Sequence, residues 1–211
     1  LDTHYYGGIK KYQWVALPLA LHGVVAKKDG TCVTIAVGEK EDDPVFTISD
    51  LLIHLAQDQM EKKASVVIEG EELNLIVGGK PLQGAEKDKV KAGVLALLKE
   101  RYGVEEEDFL SAELEVVPAG RCRELGFDRS MLLGYGHDDR VCAFAQVEAM
   151  FGLDAVPQRT CCCVLADKEE VGSVGATGMQ SRFFENALAE LMVLCGETGE
   201  IRLRRALRNS R

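Results

Sequence analysis

Two pairs of adjacent carboxylates, Asp138-Asp139 and Glu169-Glu170, stand where acids are expensive. The first lies between a Gly-Tyr-Gly segment and a helical pattern. The second follows a continuously apolar run and precedes a glycine-rich loop, Gly172 to Gly178. Carboxylates at the end of an apolar strand need something positive beside them. A divalent cation would supply that charge. One acid of a pair could coordinate the ion while its neighbour, pointing elsewhere, takes a proton from metal-bound water, whose pKa the ion lowers towards about 7. A general base placed this way is worth about 10² to 10⁴ in rate. The structural alternative is that these acids sit at helix N-termini, where they favour the dipole, and spacing alone does not separate the two. A third reading takes the glycine loop as a phosphate cradle. It lacks the Gly-Lys-Ser/Thr ending of a P-loop, and two glutamates directly before it would repel phosphate.

The four histidines, His4, His22, His54 and His137, form no HExxH pair. His54 falls in an apolar helical pattern, where a satisfied, partly buried side chain is expected. His22 sits in a strand pattern and carries no functional weight. His137 abuts Asp138, as a group supporting it or as a simple neighbour. The seven cysteines include no CxxC, and Cys161, Cys162 and Cys163 are consecutive. Neighbouring residues on a strand point to opposite faces, so three in a row make a poor disulfide framework. Small buried hydrophobes in a reducing compartment are expected instead.

The elements that must position these residues read as mixed α and β. Trp14 to Val25 is mostly apolar, Asp29-Gly30 marks a hairpin turn, and Cys32 to Val37 reads as the return strand. Ser49 is placed to cap a helix from Asp50 to about Gln59. Ser65 to Ile68 and Leu73 to Val77 read as strands. Lys87 to Arg101 is an amphipathic helix through Val90, Val94, Leu97 and Leu98, closed by Gly103. Ala112 to Val117 is a strand. After about Asp128 a helix is expected from Arg140 to Phe151, a fully buried strand from Thr160 to Ala166, and a helix from Ser181 to Cys195. The arginine-rich tail, Ile201 to Arg211, reads as a solvated helix face. This alternation is the grammar of an α/β domain, with ligands at the carboxyl ends of its strands.

Composition narrows the function. The chain has 211 residues and 23.1 kDa, enough for one or two domains. A net charge of -9 and a pI near 5.1 argue against a general phosphate-backbone binder. No apolar run approaches the roughly 20 residues that span a bilayer. The first residue is Leu1, not Met, with no signal-peptide pattern after it, from which an internal point of a longer chain is expected.

Several segments together resemble the aspartyl aminopeptidase family, cytosolic and vacuolar dinuclear zinc exopeptidases of metallopeptidase family eighteen. Asp167-Lys168-Glu169-Glu170-Val171-Gly172-Ser173 resembles the family's glutamate-pair motif. Thr3 to Ile9 resembles its tyrosine-glycine segment, and Ile48 to Leu55 its histidine-bearing helix. Gly136-His137-Asp138-Asp139-Arg140 is similar to its bridging-aspartate motif in the bacterial form, and Gly178 to Ser181 continues the loop as the family does. The motifs come in order and cover essentially the whole chain.

The resemblance implies an α/β catalytic domain of the zinc-exopeptidase kind, residues 1–14 and 128–211, interrupted by an inserted mixed α/β dimerisation domain at about 15–127. It implies that Asp138 bridges two divalent metal ions, zinc foremost with cobalt or manganese as alternatives, and that the Asp138–Asp139 peptide is cis. Glu170 would be a terminal metal ligand and Glu169 the general base. His137 and Asp139 would support the ligands from behind. His54 would reach the active site of a neighbouring subunit. The substrates would be peptides, cleaved at the N-terminal residue. The protein would be a cytoplasmic homodimer building into a dodecamer, with no nucleic-acid or membrane partner. The family's remaining ligands, a histidine upstream and an aspartate and a histidine downstream, would fall outside this chain. Isolated, the 211 residues would bind metal poorly and be inactive. The competing class is a non-catalytic assembly fragment whose acids are structural.

Overall fold

The Asp29-Gly30 turn opens the best-formed part of the molecule. Asp29 accepts hydrogen bonds from the Thr31 amide at 2.9 Å and the Thr31 hydroxyl at 2.6 Å, folding the chain back on itself. The strands it joins, β1 (Leu19–Ala26) and β2 (Cys32–Val37), pair antiparallel with Ala26 opposite Cys32. On its other edge β1 pairs antiparallel with β3 (Ala112–Pro118), Leu21 opposite Val116, giving the order β2-β1-β3. A second, two-stranded sheet joins β4 (Arg123–Leu125) and β5 (Met131–Leu133). These assignments come from a computed structural model of the chain, which describes residues 1–5 and 7–210.

The chain divides into two units: residues 1–5 with 9–135, and residues 6–8 with 136–211. The first holds the hydrophobic core. Leu19, Ile48, Ile68, Leu73 and Leu75 form one cluster; Leu21, Val25, Ile35, Val37 and Val104 form another. Leu19, Val25 and Val104 are fully buried, each burial worth about 1.5–3 kcal/mol by area. Helix α2 (Lys89–Tyr102) ends on left-handed Gly103, as its sequence predicts. Val94 and Leu98 are half-buried, whereas Val90 and Leu97 stay exposed.

Three expectations fail in this unit. Asp50 to Gln59 is not one helix. It forms a 3-10 turn at Ile53–Leu55 and the short α1 (Gln57–Met60), without a side-chain cap. Asp50 instead accepts from the Leu51 amide and the Gln59 side chain. His54 is exposed rather than partly buried, and Leu51, Leu52, Ile53 and Leu55 around it are 52–68% exposed. Ser65 to Ile68 and Leu73 to Val77 are not strands either. Ile68, Leu73 and Leu75 enter the core from irregular chain, and only Ile76 of these segments makes an isolated bridge, to Thr47. Their apolar side chains mark burial, which irregular chain provides as well as a strand.

The second unit is helical. It contains α3 (His137–Phe151), α4 (Phe183–Leu194) and α5 (Glu200–Asn209), with α4 and α5 in contact. The buried strand expected over Thr160–Ala166 is absent. The segment is non-ladder chain, its Cys163 and Val164 half-buried and the rest exposed. A parallel interior strand draws its burial from strands on both sides, and no described segment pairs with this one. The cysteines are not buried hydrophobes either: six of the seven are exposed, Cys163 is intermediate, and all are free. Among the described residues of this unit no apolar side chain counts as buried, and Phe151 and Leu194 are each 83% exposed.

Candidate metal centre

The candidate acids assemble within the second unit, from two segments, whereas His54 lies in the first. The first is the start of α3. Gly136, at φ +83°, turns the chain into the helix, yet Asp138 keeps non-helical angles (φ −85°, ψ 122°) and its peptide to Asp139 is cis. The regular helix therefore starts one residue later. The second is a 3-10 turn at Glu169–Val171, bracketed by left-handed Lys168 and Gly172.

That turn is held by the loop that follows it. The Gly172 amide donates to the Glu169 carbonyl at 2.9 Å, and the Ser173 amide to the Lys168 carbonyl at 2.9 Å. The Gln180 amide donates back to the Ser173 carbonyl at 3.1 Å, and its side chain to the Gly172 carbonyl. At the base, the Asp167 amide meets the Thr177 carbonyl at 3.3 Å, and the Thr177 hydroxyl donates to the Asp167 carboxylate. Amides at Gly172, Ser173, Gln180 and Ser181 are thus engaged within the loop. This counts against the phosphate-cradle reading, which needs such amides aimed at a ligand.

The two segments bring Asp138, Asp139 and Glu170 together, with one oxygen of each lying within 4.8 Å of the others. All three side chains are exposed. The Asp139 carboxyl is pushed above the ordinary aspartate range. The first cause is a hydrogen bond shared with Asp138, then desolvation, then the charges of Asp138, Glu169 and Glu170. Like charges gathered this way raise one another's pKa, and a cation between them reverses that effect. Neither segment gains a side-chain cap from its N-cap residue, Gly136 or Lys168. Asp138 and Asp139 do lie in the first turn of α3, but a dipole does not account for Glu170 arriving from elsewhere in the chain.

The donor set suits a hard or borderline divalent cation, for which carboxylate oxygens are ordinary ligands. Among the described residues the convergent group holds these three carboxylates and no imidazole. Structural zinc takes four ligands and catalytic zinc three plus water, so three carboxylates would supply only part of such a sphere. Glu169 stands outside the group while its charge still reaches Asp139. His137 is exposed and outside it as well. Asp139, read from sequence as a support behind the ligands, is brought in among them. The non-helical Asp138 is what allows this, since neighbouring side chains on a regular helix diverge by about 100°. Tyr6, in the tyrosine-glycine segment, lies outside the described residues. A cavity of about 440 Å³ between Cys162–Ala166 and α4 is lined by apolar groups such as Phe184, Leu188 and Leu191, and holds none of these acids.

Comparison with known proteins decides the family. The sequence model of the aminopeptidase I zinc metalloprotease (M18) family matches residues 1–210. The chain belongs to the M18 family. A probable M18 family aminopeptidase 1 of Clostridium acetobutylicum is 61% identical over 211 residues, covering all of this chain and 45% of that protein. The crystal structure of an M18 aminopeptidase from Thermotoga maritima superposes with a TM-score of 0.84 at 48% identity, covering 95% of this chain and 44% of that one. Aminopeptidase I of Clostridium acetobutylicum gives 0.80 at 62%, over 91% and 42%. The chain therefore spans about half the length of the curated M18 relatives it matches. The resemblance read from the motifs is borne out at the level of family. No helix among the described residues is long and apolar enough to cross a membrane.

Proposed function

We propose that this chain is the central part of a metallo-aminopeptidase that releases N-terminal residues from peptides, with two divalent ions, zinc foremost, at Asp138 and Glu170. What supports this reading is the convergence of Asp138, Asp139 and Glu170 from two segments, with Glu169 beside them. When bound, the ions supply a lowered pKa for the attacking water and polarisation of the peptide carbonyl. Asp138 and Glu170 would be the residues that hold them. The two positive charges favour the ionised forms of acids that otherwise repel each other. Asp139 would add a third oxygen to the group.

Glu169 has a separate task. It accepts a proton from the attacking water and delivers it to the leaving amine. A base that ligates the ion would lose the basicity this needs, and Glu169 is outside the convergent group. His54 lies on an exposed turn among exposed apolar side chains, and we assign it to the active site of a neighbouring subunit. Residues at about 15–127 act as a dimerisation domain inserted in the catalytic one, and the dimer builds into a dodecamer in the cytoplasm. Exposed apolar residues such as Phe151 and Leu194 pack against the remainder of the catalytic domain, which supplies the missing ligands. Zinc content and peptidase activity of the complete protein test the reading together. Loss of both in an Asp138→Asn, Glu170→Gln variant is expected, and retention of either sinks it.

A further inference from the structure

We propose that Gly7 is a positioning residue for the metal centre, its backbone forming the stop against which Glu170 rests; the inference builds on the metal-site reading above. Gly7 belongs to the same unit as the carboxylates although it comes from the start of the chain. Its φ is +70°, and a Cβ built on it would fall 3.1 Å from Glu170 Cβ and 3.5 Å from the Glu170 carbonyl oxygen. Non-bonded carbons settle at about 3.5–4.0 Å, so any side chain at position 7 displaces Glu170 by a few tenths of an ångström. The next residue provides the contrast: a Cβ on Gly8 meets nothing within 4 Å, and Gly8 is not among the residues with positive φ. The close approach is thus confined to the glycine that faces Glu170.

The displacement acts where tolerance is smallest. Glu170 sits on a three-residue turn fixed by hydrogen bonds on its loop side, so it cannot relax freely in that direction. Its carboxylate must meet those of Asp138 and Asp139 within 4.8 Å. Constellations of this kind work only when held to about 0.5 Å, and groups that orient ligands are typically worth about 10- to 100-fold in metal affinity. A Cβ at position 7 would meet Glu170 itself, so its effect passes through Glu170.

The test is zinc affinity of the complete protein, measured by competition with a chromophoric chelator, beside thermal melting. Gly7→Ala should weaken zinc binding about 10- to 100-fold, while Gly8→Ala binds like wild type. In a Glu170→Ala background Gly7→Ala should weaken zinc binding no further, because the ligand it displaces is gone. Asn tolerates left-handed backbone yet carries a Cβ, so Gly7→Asn should weaken zinc binding even if Gly7→Ala fails to fold. Zinc affinity unchanged by either Gly7 variant overturns the inference alone. So does a loss in Gly7→Ala that Gly7→Asn does not share, which would trace the effect to backbone conformation. If Glu170→Ala itself leaves zinc affinity unchanged, the metal-site reading falls and the role of Gly7 with it.

Discussion

Replacing Glu169 by Gln separates the two tasks assigned to adjacent glutamates. The change is isosteric and removes a base without removing bulk. Glu170, its neighbour on the same 3-10 turn, lies within 4.8 Å of Asp138 and Asp139, whereas Glu169 is outside that group. The hydrogen bonds that hold the turn run from Gly172 to the Glu169 carbonyl and from Ser173 to the Lys168 carbonyl, both backbone atoms that Gln retains. The fold and the metal should therefore survive. What is lost is general-base catalysis, worth about 10² to 10⁴ in turnover. The assay is steady-state hydrolysis of a panel of aminoacyl p-nitroanilides by the complete protein, with zinc counted by atomic absorption on the same samples. The expected result is kcat reduced by about that factor, with zinc content equal to wild type. A wild-type kcat refutes the base assignment. Loss of zinc along with activity refutes the separation of roles, placing Glu169 among the ligands.

Other outcomes follow from individual residues. His54→Phe in the complete protein should lower turnover while leaving zinc and the isolated protomer's melting unchanged, since His54 is exposed; a wild-type rate would end its role across the interface. Leu19 is 0% exposed at the heart of the first unit, so Leu19→Ala should destabilise that unit by about 2–5 kcal/mol, read by urea unfolding. Three turn carboxylates set an acid limit. Asp29 is held below the ordinary range chiefly by the Thr31 hydroxyl, Asp43 by the Lys40 amide and Asp128 by the Ser130 amide. A depressed carboxylate adds stability above its unfolded pKa of about 3.9, lost as pH falls through the folded value. Melting temperature should fall below about pH 4, and less steeply when all three are Asn; equal slopes would remove these turns from the account.

The legible and illegible parts of the molecule differ in physical kind. The β1–β2 hairpin follows from Asp29-Gly30, and α2 from its period and the glycine that closes it, because turn and cap chemistry act locally. The carboxylate pairs are visible as adjacent acids, but not through apolar surroundings: Asp138, Asp139 and Glu170 are exposed and no strand immediately precedes Glu169. Leu51, Leu52, Ile53 and Leu55 mislead, because apolar periodicity registers an exposed apolar segment as readily as a core. Thr160 to Ala166 misled differently: strand character in its residues does not become a strand without neighbours to pair with. Asp139 joined the convergent group through the backbone angles of Asp138, which no spacing rule reports. The close approach that a side chain at Gly7 would make to Glu170 joins distant parts of the chain and leaves no local trace.

The central claim is that Asp138 and Glu170 hold metal. Zinc stoichiometry of the complete protein, measured before and after Asp138→Asn with Glu170→Gln, tests it most directly. The account predicts about two ions per chain in the wild type, as in dinuclear hydrolytic sites, and loss of bound zinc in the double variant while the first unit still melts cooperatively. Equal zinc in both proteins, or none in the wild type, would contradict it.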